Sequence, residues 1–296
     1  MRPCDPRPKR KRPKKAGDVT IAAGFNFNDG ILLCADTKHT GSMALYKPKL
    51  FPSDYVIGGV SRAKSVFAIV GSDTYAKMAV TKCSEAISRL KQWSLIDMAT
   101  AIEKVLLQVH KNHVYPHPDR NMVGGPDFWL MVALWSSVDG LRSYKTTQTS
   151  IVPFDVYDCA GSGEYLGHYL LKPIYRDRYV DLERAVSIAC TALQRIKAYD
   201  ADCGGNSEFI KLTKSGELGN IARFDISTGE KFAEEFYEQA EILFARLSSL
   251  YLPAEEVEDD LSTFRYVVSN AREGLKDEKA RHDAFMAMLE GMNSAR

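Results

Sequence analysis

Residues 18–40 read "DVTIAAGFNFNDGILLCADTKHT". Two apolar runs, about residues 20–27 and 31–38, flank "NDG", and two strands joined by a tight turn follow from that pattern. Asp29 and Gly30 suit such a turn because both tolerate positive φ. The hairpin places Thr20 at the head of its first strand and Asp36 near the end of its second. A hydroxyl and a carboxylate at neighbouring strand ends are either ordinary turn chemistry or the start of a nucleophile site. The rest of the chain has to decide between them.

The chain has 296 residues, 45% of them hydrophobic, enough for a packed core. Its net charge of +1 gives no strong overall field. The charge is uneven, however: "MRPCDPRPKRKRPKK" opens the chain. Such a segment buries too little apolar surface to offset its ordering entropy, so residues 1–19 are expected to be a disordered basic tail or pro-segment. It lacks the apolar centre of a secretory signal. With no apolar run of transmembrane length, no membrane partner is expected. The tail's charge would allow non-specific contact with nucleic acid and no sequence reading. The six cysteines are scattered, four of them in apolar surroundings, which implies a reducing, cytoplasmic setting, or a nuclear one in a eukaryotic source. His110, His113 and His117 approach metal-ligand spacing, but the last lies in a "YPHPD" turn, and no metal is expected.

Downstream, "YVIGGV" and "SVFAIVG" read as strands around a "SRAK" turn. Helical periodicity follows over about 73–90 and 95–113, then strands in "DFWLMVALWSS", "LRSYKTT" and "DVYDCAG". Two more helices are expected over about 162–175 and 181–199. Strands in "EFIKLTKSG" and "GNIARFDI" come next, then a helix near 229–249. From Pro253 the chain reads as two amphipathic helices, about 259–275 and 277–291, a C-terminal extension (253–296) to a core spanning 20–252. Strands and helices come in blocks, which favours an α+β fold with antiparallel sheets between helical layers over a doubly wound parallel sheet.

The order of these pieces resembles a proteasome β-type subunit. The resemblance rests on "TIAAGFNFNDGILLCADTK", "YKPKLF", "FAIVGSDTYAK", "CAGSGEYLG" and "DADCGGNSEFIKL", and spans about Thr20 to Leu250. It implies the four-layer αββα sandwich of N-terminal nucleophile hydrolases. It also implies a threonine-type endopeptidase with Thr20 as nucleophile once residues 1–19 are removed. By the same resemblance the catalytic set is Thr20, Asp36, Lys49, Ser162, Asp200 and Cys203, with the Gly71 N–H as oxyanion donor. His39, Lys47, Ile69 and Asp73 would line the substrate pocket. No cofactor is implied. The implied partners are a peptide or unfolded protein substrate, a homo- or hetero-oligomeric ring and an ATP-dependent unfoldase.

The chemistry follows from the residue types. A threonine hydroxyl needs a base, and the α-amine of a terminal Thr20 would titrate near working pH. A lysine cation beside it lowers its pKa, and Asp36 would hold Lys49 in place. Two residues depart from the family pattern. Val19 replaces the usual Gly before the nucleophile, and its branched, stiff side chain works against self-cleavage. Cys203 replaces a Ser and hydrogen-bonds more weakly. Two alternatives therefore stand beside the peptidase: an unprocessed, catalytically silent subunit, and a small-molecule amidohydrolase of the same fold class.

Overall fold

The computed structural model describes residues 20–39, 45–120, 125–176, 180–248 and 253–294. Strands β1 (Ile21–Phe27), β2 (Gly30–Asp36), β3 (Lys38–His39), β4 (Leu45–Tyr46), β5 (Leu50–Ile57) and β6 (Val60–Gly71) come first. Helices α1 (Asp73–Ser88) and α2 (Leu95–Val109) follow, the latter running into a π-helical turn at His110–Val114. Strands β7 (Phe128–Ser136), β8 (Gly140–Thr147), β9 (Ser150–Pro153) and β10 (Tyr157–Gly161) lead to α3 (Glu164–Leu171) and α4 (Leu182–Tyr199). Strands β11 (Ser207–Thr213) and β12 (Leu218–Asn220) and helices α5 (Arg223–Leu247) and α6 (Ala254–Ser294) complete the order.

Among the described residues the strands form two five-stranded antiparallel sheets, β10-β1-β2-β11-β12 and β5-β6-β7-β8-β9, beside the small β3–β4 pair. Three apolar layers hold them. Phe67, Ile69, Phe128 and Leu130 pack beneath α1 and α2. Ala22, Leu33, Val66 and Met131 fill the space between the sheets. Phe25, Cys34 and Phe209 pack beneath α3 and α4, in one cluster with Leu193 of α4. The molecule is thus a four-layer αββα sandwich. Strands β1 and β2 are buried on both faces, which is why they read as nearly continuous apolar runs with no polar alternation.

Several local expectations are corrected. In the β1–β2 hairpin Phe27 pairs with Gly30, so Asn28 and Asp29 form the two-residue loop. Gly30 is not at positive φ. It is glycine because a Cβ there would meet the Leu212 carbonyl and the Phe27 ring, both at 2.6 Å. The β5–β6 turn falls at Gly58–Gly59, with φ of 57° and 80°, and "SRAK" lies inside β6. Two adjacent positive-φ glycines fit the right-handed twist of a hairpin better than any turn "SRAK" could make.

Helix α5 begins at Arg223, where a strand was expected, and Ile226 is buried against α4 from its first turn. Gly229 does not start that helix. A Cβ there would meet Cys190 Sγ at 2.9 Å, so its smallness lets α5 approach α4. The tail is one 41-residue helix, α6, rather than two. Gly274 lies within it, and one glycine weakens a helix by only about 1 kcal/mol without ending it. Helix α6 runs back along α5 through Asp260–Arg246 (2.7 Å), Phe264 against Phe236, Lys279–Asp225 (3.1 Å) and His282 stacked on Phe224. Residues 1–19, read as a disordered tail, lie outside the described residues.

Candidate active site

Thr20 sits just before β1 and is buried. Its carbonyl accepts the Ser162 N–H at 3.1 Å. Gly161, at φ 111°, must be glycine here, because a Cβ would strike that same carbonyl. Strand pairing brings the other end of the hairpin close: Ala22 lies opposite Ala35, so Asp36 ends β2 beside the head of β1.

The Thr20 hydroxyl donates to Asp36 Oδ1 and accepts from Lys49 Nζ. Lys49 Nζ also reaches Asp36 Oδ1 at 2.7 Å and donates to the Lys38 carbonyl. Asp36 accepts the Ile21 N–H at 3.3 Å, and its second oxygen accepts the Gly204 N–H at 2.7 Å. Lys49 is 1% exposed and Asp36 0%. Burial therefore lowers the Lys49 pKa from its ordinary value, and the Asp36 charge opposes that shift. The Thr20 hydroxyl thus contacts a buried ammonium and a buried carboxylate at once.

A second cluster adjoins the first. Ser162 Oγ donates to Asp200 Oδ2 at 2.7 Å and lies 3.6 Å from Cys203 Sγ, which itself is 3.5 Å from Asp200 Oδ2. Burial first, and then the Asp36 charge, push the Cys203 thiol well up, so it stays protonated as a donor. Ser162 does not cap α3, whose N-cap position is Gly163 with no side-chain cap. Its hydroxyl is turned to Asp200 instead. The Ser162 and Gly204 N–H groups join the two clusters. The structure thus gathers all six expected residues, Thr20, Asp36, Lys49, Ser162, Asp200 and Cys203, into one connected network.

Gly71 ends β6 beside this network: the Val70 side chain lies 3.1 Å from the place of a Gly161 Cβ. Gly71 has φ 86°, and a Cβ there would strike the Asp127 carbonyl, so the turn into α1 is closed to other residues. Of the expected pocket residues, Lys47 is exposed and 3.9 Å from Asp73, which pairs with Lys77 at 2.9 Å. Ile69 is buried in the core under α1 and α2, so it forms packing there. The His39 side chain lies outside the described residues.

The three spaced histidines have other surroundings. His110 is buried against Phe128 with Nδ1 on the Leu106 carbonyl, and burial lowers its pKa. His113 and His117 lie against the Tyr75 ring. Among the described residues the one group with three close potential metal ligands is Asp158, Glu164 and His168. Lys145 Nζ sits among them, 3.3 Å from Asp158 and 2.7 Å from Glu164, and supplies the cation itself.

Sequence reasoning missed four contributors. The Lys38 carbonyl, the Gly204 N–H and the Gly161 backbone act through main-chain groups, which no residue type announces. Glu208 is the fourth: its Oε2 accepts the Lys49 backbone N–H at 3.2 Å. Its signal was in the sequence, because it occupies an inward position of β11 that Ile210 and Leu212 repeat as apolar.

No family model matches the chain, and no curated protein matches it in sequence. Solved structures do. Anbu (ancestral beta-subunit) from Yersinia bercovieri superposes with a TM-score of 0.63 at 14% identity, over 79% of this chain and 100% of its own. A helical assembly of the Anbu complex from Pseudomonas aeruginosa gives 0.61 at 12% identity, over 80% and 99%. Anbu from Hyphomicrobium sp. strain MC1 gives 0.60 at 12% identity, over 75% and 96%. At such identity the likeness is one of fold, two five-stranded antiparallel sheets between helical layers. These matches correct the family resemblance drawn from the sequence. Anbu is proteasome-like but distinct from the proteasome β-type subunits. Short motifs in the right order specify strand ends and turns, which several families on one fold share.

Proposed function

We propose that this chain is an N-terminal nucleophile hydrolase that cleaves amide bonds with Thr20. The observation that carries the reading is the buried Thr20 hydroxyl, hydrogen-bonded at once to Asp36 and Lys49. Cleavage before Thr20 begins with its Oγ1 attacking the Val19 carbonyl. The peptide bond gives way to an ester, the Thr20 amine is released, and water hydrolyses the ester. In the freed enzyme the Thr20 amine takes the hydroxyl proton as Oγ1 attacks a substrate carbonyl. The Lys49 cation keeps that amine unprotonated near neutral pH, and Asp36 fixes Lys49. The Gly71 N–H supports the oxyanion, and the Ser162–Asp200–Cys203 cluster orients the amine. The leaving amine departs with a proton, and water resolves the acyl ester on Thr20.

The substrate class we propose is a peptide or unfolded chain, which makes the activity a threonine-type endopeptidase. Fluorogenic peptides are expected to be hydrolysed by the wild type and not by Thr20→Ala. Hydrolysis of small amides with no peptide turnover would point to an amidohydrolase instead. Val19 favours a second reading, an uncleaved and catalytically silent subunit, because a β-branched residue resists the bend that attack on its carbonyl requires. In that case the full-length chain persists. Since a chain of this fold is described as a helical assembly, we also propose that this chain self-associates. Light scattering checks this, and a monomer at micromolar concentration would refute it.

A further inference from the structure

Lys49 precedes β5, an edge strand of its sheet. An edge strand leaves one row of backbone groups without a sheet partner. The Lys49 carbonyl is satisfied on the inner side by the Ile69 N–H of β6 at 3.0 Å. Its N–H has no strand partner and is met by the Glu208 carboxylate of β11, at 3.2 Å. Strand β11 belongs to the opposite sheet. The contact is therefore a hydrogen bond between the two sheets, made at the residue whose ammonium reaches Thr20.

The placement of Glu208 follows from strand alternation. Ser207 lies opposite Asp36 and Glu208 opposite Ala35. Phe209 packs toward the helices, whereas Ile210 and Leu212 fill the space between the sheets. Glu208 shares the face of Ile210 and Leu212. It is a carboxylate where the pattern calls for an apolar side chain. It lines a cleft of about 440 Å³ at the open edge of the sandwich, together with Thr37, Pro48 and Leu50. An apolar residue there would leave the Lys49 N–H without its partner.

We propose that Glu208 is a positioning residue for the reaction, holding the Lys49 backbone so that Nζ stays on Thr20 and Asp36. This rests on the hydrolase reading above. Glu208 touches no reacting atom, and the property it needs is an oxygen acceptor rather than a charge. A misplacement of about 1 Å at a reacting group can cost about 10²-fold, so a loosened Lys49 is expected to lower kcat at least about tenfold and leave KM nearly unchanged.

The test compares Glu208→Ala with Glu208→Gln in the full chain labelled with ¹⁵N-lysine. Lys49 amide exchange is expected to stay slow in the wild type and in Glu208→Gln and to quicken about tenfold or more in Glu208→Ala. Peptide turnover should follow the same order, with the change in kcat. Equal Lys49 exchange in Glu208→Ala and the wild type would overturn the proposal. So would a Glu208→Gln variant as impaired as Glu208→Ala, since charge and not acceptance would then matter. If the wild type turns over no peptide, the hydrolase reading fails separately, and the exchange comparison still decides whether Glu208 holds this strand.

Discussion

The lysine–carboxylate clusters at Lys145 and Lys49 differ in how much water reaches them. Lys145 bridges Asp158 and Glu164, with exposures of 13%, 24% and 41%. Lys49 pairs with Asp36 at 1% and 0%. The first cluster joins β8, β10 and α3 at the surface, where water screens the attraction and little stability is gained. The second has lost its solvent, so each member depends on the other, and its ammonium contacts a hydroxyl as well as a carboxylate. Under the proposed function, the same residue types are structural cement in one place and a chemical device in the other. Burial and the hydroxyl partner make the difference.

The largest expected effect breaks the buried cluster. Lys49→Met leaves Asp36 buried without its cation. It should cost about 3–5 kcal/mol of stability, read from urea midpoints, and lower peptide turnover by about 10²-fold or more.

A pH series sharpens the same contrast. Burial lowers the folded-state pKa of Lys49 below its ordinary value near 10.5. Between those two values the unfolded chain holds the proton that the folded chain has lost, so rising pH favours the folded state there. The burial penalty on Lys49 applies in full below its folded pKa and is relieved as pH climbs to about 10.5. The wild-type urea midpoint should therefore rise relative to Lys49→Met as pH climbs from neutral toward about 10.5. A constant difference would show that burial does not act on Lys49 in this way.

Cys203→Ser tests the adjoining network. A hydroxyl can make the same contacts to Ser162 and Asp200, so turnover should stay within a few-fold and stability within about 1 kcal/mol. The smallest effect belongs to the half-buried Lys145 cluster. Lys145→Met is expected to cost no more than about 1 kcal/mol and to leave turnover unchanged, because the Lys145 ammonium bonds to Asp158, Glu164 and the Cys159 carbonyl, none of which bonds the Thr20 hydroxyl. A large loss of turnover would erase the distinction between the two clusters.

How much of this was legible in the sequence depends on which atoms do the work. The β1–β2 hairpin could be read because burial on both faces leaves a long apolar run, and its ends put Thr20 and Asp36 side by side. The block order of strands and helices carried the layered sandwich. Lys49, Ser162, Asp200 and Cys203 could be picked out only through the family resemblance, because they come from separate elements that spacing does not connect. That resemblance found the fold and misplaced the family, since strand ends and glycine turns are common to both. Gly30, Gly161 and Gly229 were readable as glycines but not as close-approach positions, because the atoms they avoid lie far away in sequence. Glu208 alone left a local trace, a charge in an apolar alternation.

The central claim is that Thr20 is a nucleophile that frees itself from residues 1–19. Intact-mass measurement of the purified wild type beside Thr20→Ala tests it most directly. The expected result is a wild type lighter by residues 1–19 and a full-length variant. A full-length wild type, or the same cleavage in both proteins, would contradict it.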